Sequence, residues 1–245
     1  MTPTSGGPVE RALLEDLAAA SRILADQGVF DAAGHVSMRH PGDAERFLMS
    51  RSLAPALVGA DDIMELSLEG EACHARGRSV FLERFIHGEI YRARADVMAI
   101  AHGHAPAVIP FGVVATPLRA MYHNAAFLAA GVPVFDIRET FGATDIVVGS
   151  REKGAALAEA LGDKSAVLLR AHGFVVVGPD LQAAVFRAVS IEVNARVQLQ
   201  AALLGGPIAA LDAEEGRKAD AVTLATVGRS WEIWKTRVTH RGLQP

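Results

Sequence analysis

Ala99-Ile-Ala-His102-Gly-His104-Ala-Pro106 closes an apolar run that begins at Val97, and it places two histidines two residues apart at the end of that run. The run has the length and composition of a buried strand, and side chains two apart on extended backbone point the same way. Two imidazoles can therefore converge on one point. Downstream, Leu168-Leu-Arg-Ala-His172-Gly173 repeats the arrangement, an apolar run ending in a histidine followed by glycine. Three neutral imidazoles at strand ends suit a metal site with one position left open for substrate. An HxH pair is a weak signal by itself, because a lone histidine is more often a hydrogen-bonded core or surface residue. Two of them side by side beyond a buried strand are costly unless something joins them.

Working outward, Leu13, Leu17, Ala20 and Leu24 recur at helical spacing between Val9 and Gln27, and Gly28 supplies the stop. Gly34-His-Val-Ser37-Met-Arg39 and Glu45-Arg-Phe-Leu-Met49 read as short strands around the turn Pro41-Gly42-Asp43, followed by the strand-and-loop stretch Asp61 to Leu66 and the turn Glu69-Gly70. Phe81 to Arg94 is expected to be a helix, with Phe85, Ile86, Ile90 and Tyr91 on one side and Glu83 and His87 on another. A short helix is expected to open near Pro106, an alanine-rich helix to span Ala120 to Ala130, and a strand to follow at Val132 to Phe135. Ser150 caps a helix ending near Leu161. Ala166 to Leu169 and Phe174 to Val177 are expected strands, and Leu181 to Leu204 is a long helix stopped by Gly205-Gly206-Pro207. Strands interleaved with helices, without repeats or low-complexity linkers, give one three-layer α/β domain over residues 9–245, preceded by a flexible tail, residues 1–8.

Composition narrows the partners. The chain has 245 residues, half of them hydrophobic, with a formal net charge of -4 and no long basic run, so nucleic acid is not an expected ligand. Met1 to Pro8 lacks the basic start and apolar core of a signal peptide, and no apolar segment approaches the roughly 20 residues of a membrane span. A single cysteine, Cys73, cannot form an internal disulfide. The expectation is a cytoplasmic protein with no membrane partner.

Glu83 is the second actor. Most helical glutamates are solvated, but this one is flanked by Val80-Phe81-Leu82 and Phe85-Ile86, which predicts partial desolvation and a raised pKa suited to proton transfer.

Glu83-Arg-Phe-Ile-His87, Tyr91-Arg-Ala-Arg-Ala-Asp96, His102-Gly-His104-Ala-Pro106 and Arg170-Ala-His172-Gly173 with Val177-Gly178 together resemble the class II aldolase/adducin family in order, spacing and flanking residues, over roughly Leu13 to Leu204. The resemblance implies a mixed central sheet between helical layers, assembled as a homotetramer or higher homo-oligomer with sites near subunit interfaces. It also implies one divalent metal ion per subunit on His102, His104 and His172, with Glu83 as the acid/base. Zinc or manganese is favoured there, with iron or cobalt as alternatives.

The departures from the family's sugar-phosphate members are informative. Those enzymes hold phosphate with a Gly-Asn-x-Ser turn, a Ser-Gly or Thr-Gly pair, and two serines just before the glutamate. Here the three places read Gly34-His35-Val36-Ser37, Ser50-Arg51 and Phe81-Leu82. Phenylalanine and leucine offer a phosphate dianion no donors. Apolar walls and an arginine suit a flat carboxylated ligand instead. Glu83-Arg-Phe-Ile-His-Gly-Glu-Ile-Tyr, Val108-Ile-Pro-Phe-Gly112, Pro117-Leu-Arg119 and Val189-Ser-Ile-Glu-Val-Asn-Ala-Arg196 are similar to the family's branch of decarboxylases acting on 3-hydroxy-2-methylpyridine-4,5-dicarboxylate or 3,4-dihydroxyphthalate.

The expected activity is non-oxidative decarboxylation of an ortho-hydroxylated aromatic or pyridine dicarboxylate through a metal-stabilised, enolate-like carbanion, with Glu83 protonating the ring carbon. Arg51 is expected to grip the second carboxylate, and His35, Ser50, His123 and Arg119 are further substrate-binding candidates. His87 is expected to orient Glu83, and Trp231 and Trp234 to pack near the C-terminus or over a neighbouring site. The alternatives are an aldolase for an unphosphorylated hydroxy-keto acid and a non-enzymatic interaction module like the family's adducin branch.

Overall fold

Five consecutive buried residues, Ala99 to Gly103, form the strand at the middle of the molecule. The computed structural model of the chain describes residues 3–241. Its strands are β1 (His35–His40), β2 (Asp43–Ser50), β3 (Ile63–Ser67), β4 (Ala99–Gly103), β5 (Val134–Phe135), β6 (Ala166–Leu169) and β7 (Gly173–Gly178). They make one sheet in the order β3-β2-β1-β4-β7-β6-β5. Every pairing is antiparallel except that of the two-residue β5 with β6, so the sheet is mixed as expected.

Alternation along β4 sends Ala99 and Ala101 into one core and Ile100 into the other. The first core is covered by α1 (Arg11–Asp26), and the second by α2 (Arg84–Ala93), with α3 (Ile137–Phe141) and α4 (Arg151–Leu161) on the same side. On the first side α1 packs with α5 (Leu181–Leu204) and with α7 (Val227–Arg241), while α6 (Ala213–Leu224) lies against the 3-10 turn at 123–128. The result is a three-layer α/β arrangement, with residues enough on both faces to bury the sheet. Gly154 on α4 lies where an added Cβ would come within 2.5 Å of the Phe85 carbonyl oxygen, so the α2–α4 crossing requires a glycine there.

Some expectations change in the structure. The alanine-rich stretch 120–130 is no α-helix but a kinked 3-10 segment, His123–Leu128, with Tyr122 still extended at φ -156° and ψ 165°. The cause lies on α5. Asn194 accepts from the Met121 amide and donates to the Arg119 carbonyl, and Gln198 accepts from the Arg119 amide and donates to the Pro117 carbonyl, each at 2.8 Å. Those two amides act as a surrogate strand and keep residues 117–121 extended. Of the stretch expected as a flexible tail, residues 1 and 2 lie outside the described residues, and residues 4 to 7 carry hydrogen bonds. Ser5 and the Gly6 amide donate to Glu65 at 2.6 Å, Arg46 donates to the Thr4 carbonyl at 2.9 Å, and the Gly7 carbonyl faces His40. Beyond Leu204, α7 brings Trp231 and Val238 into the first core, and Lys235 pairs with Asp16 of α1 at 2.5 Å. Among the described residues no helix is long and apolar enough to cross a membrane.

Candidate metal centre and its cavity

His102 is delivered by β4 onto the sheet face that α2 covers, and His104 follows just past the strand end on the same side. His172 occupies the tight turn between β6 and β7, where Ala171 adopts a left-handed φ of 55° and the next residue is Gly173. A Cβ on Gly173 would collide with the Gly103 carbonyl, so a glycine is what lets the turn close on the end of β4. The three imidazole centroids then lie 5.0 Å from one another, an equilateral triangle.

Hydrogen bonds fix which nitrogen two of the rings present. His102 donates from Nδ1 to the Phe174 carbonyl at 3.0 Å, and His104 places Nδ1 3.2 Å from both carboxylate oxygens of Asp31. Each Nε2 is thereby left with a lone pair aimed at the other rings. Nε2 of His102 and of His104 is buried and has no hydrogen-bond partner among the described residues. Glu83 sits just before α2 and places Oε2 3.5 Å from Nε2 of both His102 and His172, while its Oε1 accepts the Val148 amide at 2.9 Å. One ligand atom from each of the four residues lies within 4.8 Å of the rest. Buried, unpartnered imidazole nitrogens converging beside a carboxylate are costly without a cation. Three imidazoles and one carboxylate are a donor set suited to a first-row divalent ion, so the residues fit such a metal.

The electrostatics correct one expectation. Burial by itself would raise the Glu83 carboxyl, but His102 and His172 pull it well below the usual carboxylate range. That direction keeps Glu83 an ionised carboxylate and not a neutral acid. His104 is held below the ordinary imidazole value by burial first and His102 second, against the opposing pull of Asp31.

A cavity of about 420 Å³ opens beside Glu83. Phe81, Leu82, Leu53 and Val147 line it with three small alanines, and His35, Ser52 and Glu83 are the polar side chains in its wall. That volume suits a single substituted ring. His35 is buried in the wall, its ring 4.7 Å from Phe81 and 5.0 Å from His102.

The other substrate-binding candidates lie elsewhere. Arg51 is held by Asp62, Nε to Oδ1 at 2.7 Å and through its own amide to the Asp62 carbonyl, and it does not line the cavity. The cause is the pairing of β2 with β3, which continues past Ser50 and carries the guanidinium to the Asp62 side. Ser50 is buried as the last residue of β2, opposite Ile63, and Ser52 is the serine that reaches the wall. Arg119 and His123 are exposed; the former donates to the Ile208 carbonyl at 3.3 Å, and the carbonyl of the latter accepts from Thr223. His87 bonds to His35 and Ser37 and has no hydrogen bond with Glu83. Sequence reasoning missed Asp31, Ser52, Val147 and the Val148 amide, all in connecting segments where no periodicity marks them.

The chain from 15 to 199 matches the family model described as Class II Aldolase and Adducin N-terminal domain. Among characterised relatives it is similar to "Decarboxylase tropJ" of Talaromyces stipitatus, 33% identical over 90% of this chain and 92% of that protein. It is also similar to a 3,4-dihydroxyphthalate decarboxylase of a Terrabacter species, 33% identical over 86% of this chain and 89% of the other. An aldolase II superfamily protein from Pseudomonas syringae shares the fold with a TM-score of 0.79 at 23% identity, over 96% of this chain and 95% of that one. A four-donor cluster on this sheet, the match across most of the chain, and relatives of this likeness place the protein in the class II aldolase/adducin family.

Proposed function

We propose that this protein is a metal-dependent, non-oxidative carboxy-lyase acting on an aromatic or pyridine dicarboxylate with a hydroxyl ortho to the carboxylate that leaves. The observation that carries the reading is the cavity wall. Phe81 and Leu82 stand beside Glu83 in a ring-sized space, where a phosphate would require several donors. Decarboxylases of hydroxylated aromatic acids among the relatives support it.

In this reading His102, His104 and His172 hold one divalent ion, zinc or manganese in preference to iron or cobalt. Bound there, the ion supplies Lewis acidity next to the substrate's hydroxyl and departing carboxylate. The apolar wall packs the faces of the ring. Glu83, kept ionised and fixed by the Val148 amide, takes the hydroxyl proton. The carbon–carbon bond breaks, its electron pair stays with the ring, and Glu83 returns the proton to the vacated carbon. Solvent then restores the hydroxyl proton, so carbon dioxide and the ring-protonated acid are the products.

Carbon dioxide release from 3,4-dihydroxyphthalate and from 3-hydroxy-2-methylpyridine-4,5-dicarboxylate, measured with metal-reconstituted protein, tests the reading. Release from one of them is expected, with a loss of about 1,000-fold in His102→Ala. Silence with both acids, or full activity in that variant, overturns it, and an aldehyde or pyruvate product would mark an aldolase instead. We further propose a homotetramer. The apolar side chains of Val113, Val114, Leu203, Leu204 and Ile233 are more than half exposed in the single chain and suit subunit contacts. Light scattering that reports a monomer would overturn this.

A further inference from the structure

Beneath the cavity wall runs a linear chain of buried hydrogen bonds that the mechanism above does not use. Tyr91 and His87 come from α2, Ser37 and His35 from β1, and all four are at most 3% exposed. The Tyr91 hydroxyl lies 2.8 Å from Ser37 Oγ, Ser37 Oγ lies 2.6 Å from His87 Nδ1, and His87 Nε2 lies 2.7 Å from His35 Nδ1.

The polarity of the chain is set at its dead end. The Tyr91 hydroxyl has no other partner among the described residues, so its proton must go to Ser37 or be buried unpaired. Ser37 then spends its single proton on His87 Nδ1. His87 is left with a proton on Nε2, which it donates to His35 Nδ1. The remaining His35 proton resides on Nε2, the ring nitrogen of this chain of four that has no hydrogen-bond partner among the described residues, in a ring that forms part of the cavity wall. Any other arrangement strands the Tyr91 or the Ser37 proton in the core.

We infer that His35 is a neutral imidazole locked as an Nε2–H donor, and that it binds the carboxylate which stays on the ring after decarboxylation. The assignment rests on the decarboxylase reading for its substrate alone. Among the described residues no arginine or lysine lines the cavity, and Arg51, the arginine the sequence offered, is committed to Asp62. The retained carboxylate therefore meets His35, with the Ser52 hydroxyl in the same wall. A donor that cannot become an acceptor selects an anionic oxygen at this place and discriminates against a substituent that must itself donate. His35 touches the substrate; His87, Ser37 and Tyr91 are positioning residues acting through it.

Two measurements test this. Long-range proton–nitrogen correlation spectra of the metal-free protein, with the His35 signals assigned by their loss in His35→Asn, should show His35 protonated on Nε2 and bare on Nδ1. The opposite tautomer overturns the inference. Calorimetry with the zinc-loaded protein should compare 3,4-dihydroxybenzoate, which keeps the retained carboxylate, with catechol, which lacks it. Ser37→Ala should weaken 3,4-dihydroxybenzoate about tenfold and Tyr91→Phe should weaken it in the same direction, with catechol changed by less than about twofold. Equal loss for both ligands, or no loss for either, overturns the inference. If the binding pattern holds but no carbon dioxide leaves 3,4-dihydroxyphthalate, the decarboxylase reading fails while the assignment of His35 stands. Carbon dioxide release without the binding pattern has the reverse meaning.

Discussion

Asp31 shows how much a single loop carboxylate decides. It faces Nδ1 of His104 with both oxygens at 3.2 Å, and Ala33 and Gly34 amides hold it in place. A carboxylate behind a ligating imidazole fixes its tautomer and strengthens it as a ligand. Asp31→Asn should therefore weaken divalent-metal affinity by about 10-fold to 100-fold, measured by competition with a chromophoric chelator. Cys73 is the second residue with a distinct expectation. Burial first, and the nearby Glu65 carboxylate second, push its thiol up to about 11 from an ordinary 9.0. An acid whose pKa is raised on folding adds stability that is fully present below its unfolded value and is lost as pH rises through the folded one. That window is pH 9 to 11. At pH 9 the native protein should resist iodoacetamide, and unfolding in urea should release rapid alkylation of Cys73, both read by mass spectrometry. Fast labelling of the folded chain would contradict the burial.

At the scale of elements, the site depends on how α2 is fastened to the sheet. Arg39 on β1 is buried, and its guanidinium donates to four carbonyls: Val97 at 3.1 Å, Ala44 at 2.7 Å, Tyr91 at 2.9 Å and Arg94 at 2.8 Å. It also stacks over the Tyr91 ring, 4.8 Å from the centroid. The fork caps the C-terminus of α2 and joins it to β1 and to the entry of β4, so it supports both Tyr91 and, one helix length away, Glu83. A lysine has the charge but not the planar fork. Arg39→Lys should destabilise the fold by about 2 kcal/mol, seen as a lower urea midpoint with an unchanged slope. An unaltered midpoint would show that the four carbonyls find other donors.

For the whole molecule, a metal held by the converging donors would make its binding and folding one equilibrium. His102 and His104 come from the middle of the sheet, His172 from the next turn along it and Glu83 from the start of α2, so the unfolded chain has no such site. A divalent ion at 100 times its Kd should stabilise the native state by about 2.7 kcal/mol. For a chain of this size that raises Tm by about 5–10 °C. Differential scanning fluorimetry with zinc and with manganese measures the shift, and His102→Ala should abolish it while still melting cooperatively. An equal shift in that variant would place the metal elsewhere.

Much of this architecture is written locally in the chain. Apolar runs of strand length, glycine stops at Gly28, Gly162 and Gly205, and the serine cap at Ser150 mark elements that the structure contains, because hydrophobic periodicity and cap chemistry act over a few residues. The HxH spacing likewise put His102 and His104 on one face through strand alternation alone. What sequence could not determine was every relation between segments far apart in the chain. The side-chain amides of Asn194 and Gln198 hold residues 117–121 extended and keep a helix-like alanine stretch from becoming a helix. Asp62 takes Arg51 away from the cavity, and Asp31 and Val148 arrive beside His104 and Glu83 from loops. The direction of the Tyr91–Ser37–His87–His35 chain is likewise set by a buried dead end. Sequence by itself thus marked most of the elements and the side chains that converge as candidate donors. Tertiary structure decided which polar groups are paired and which remain free to act, because burial makes each hydrogen bond between distant segments a choice against water.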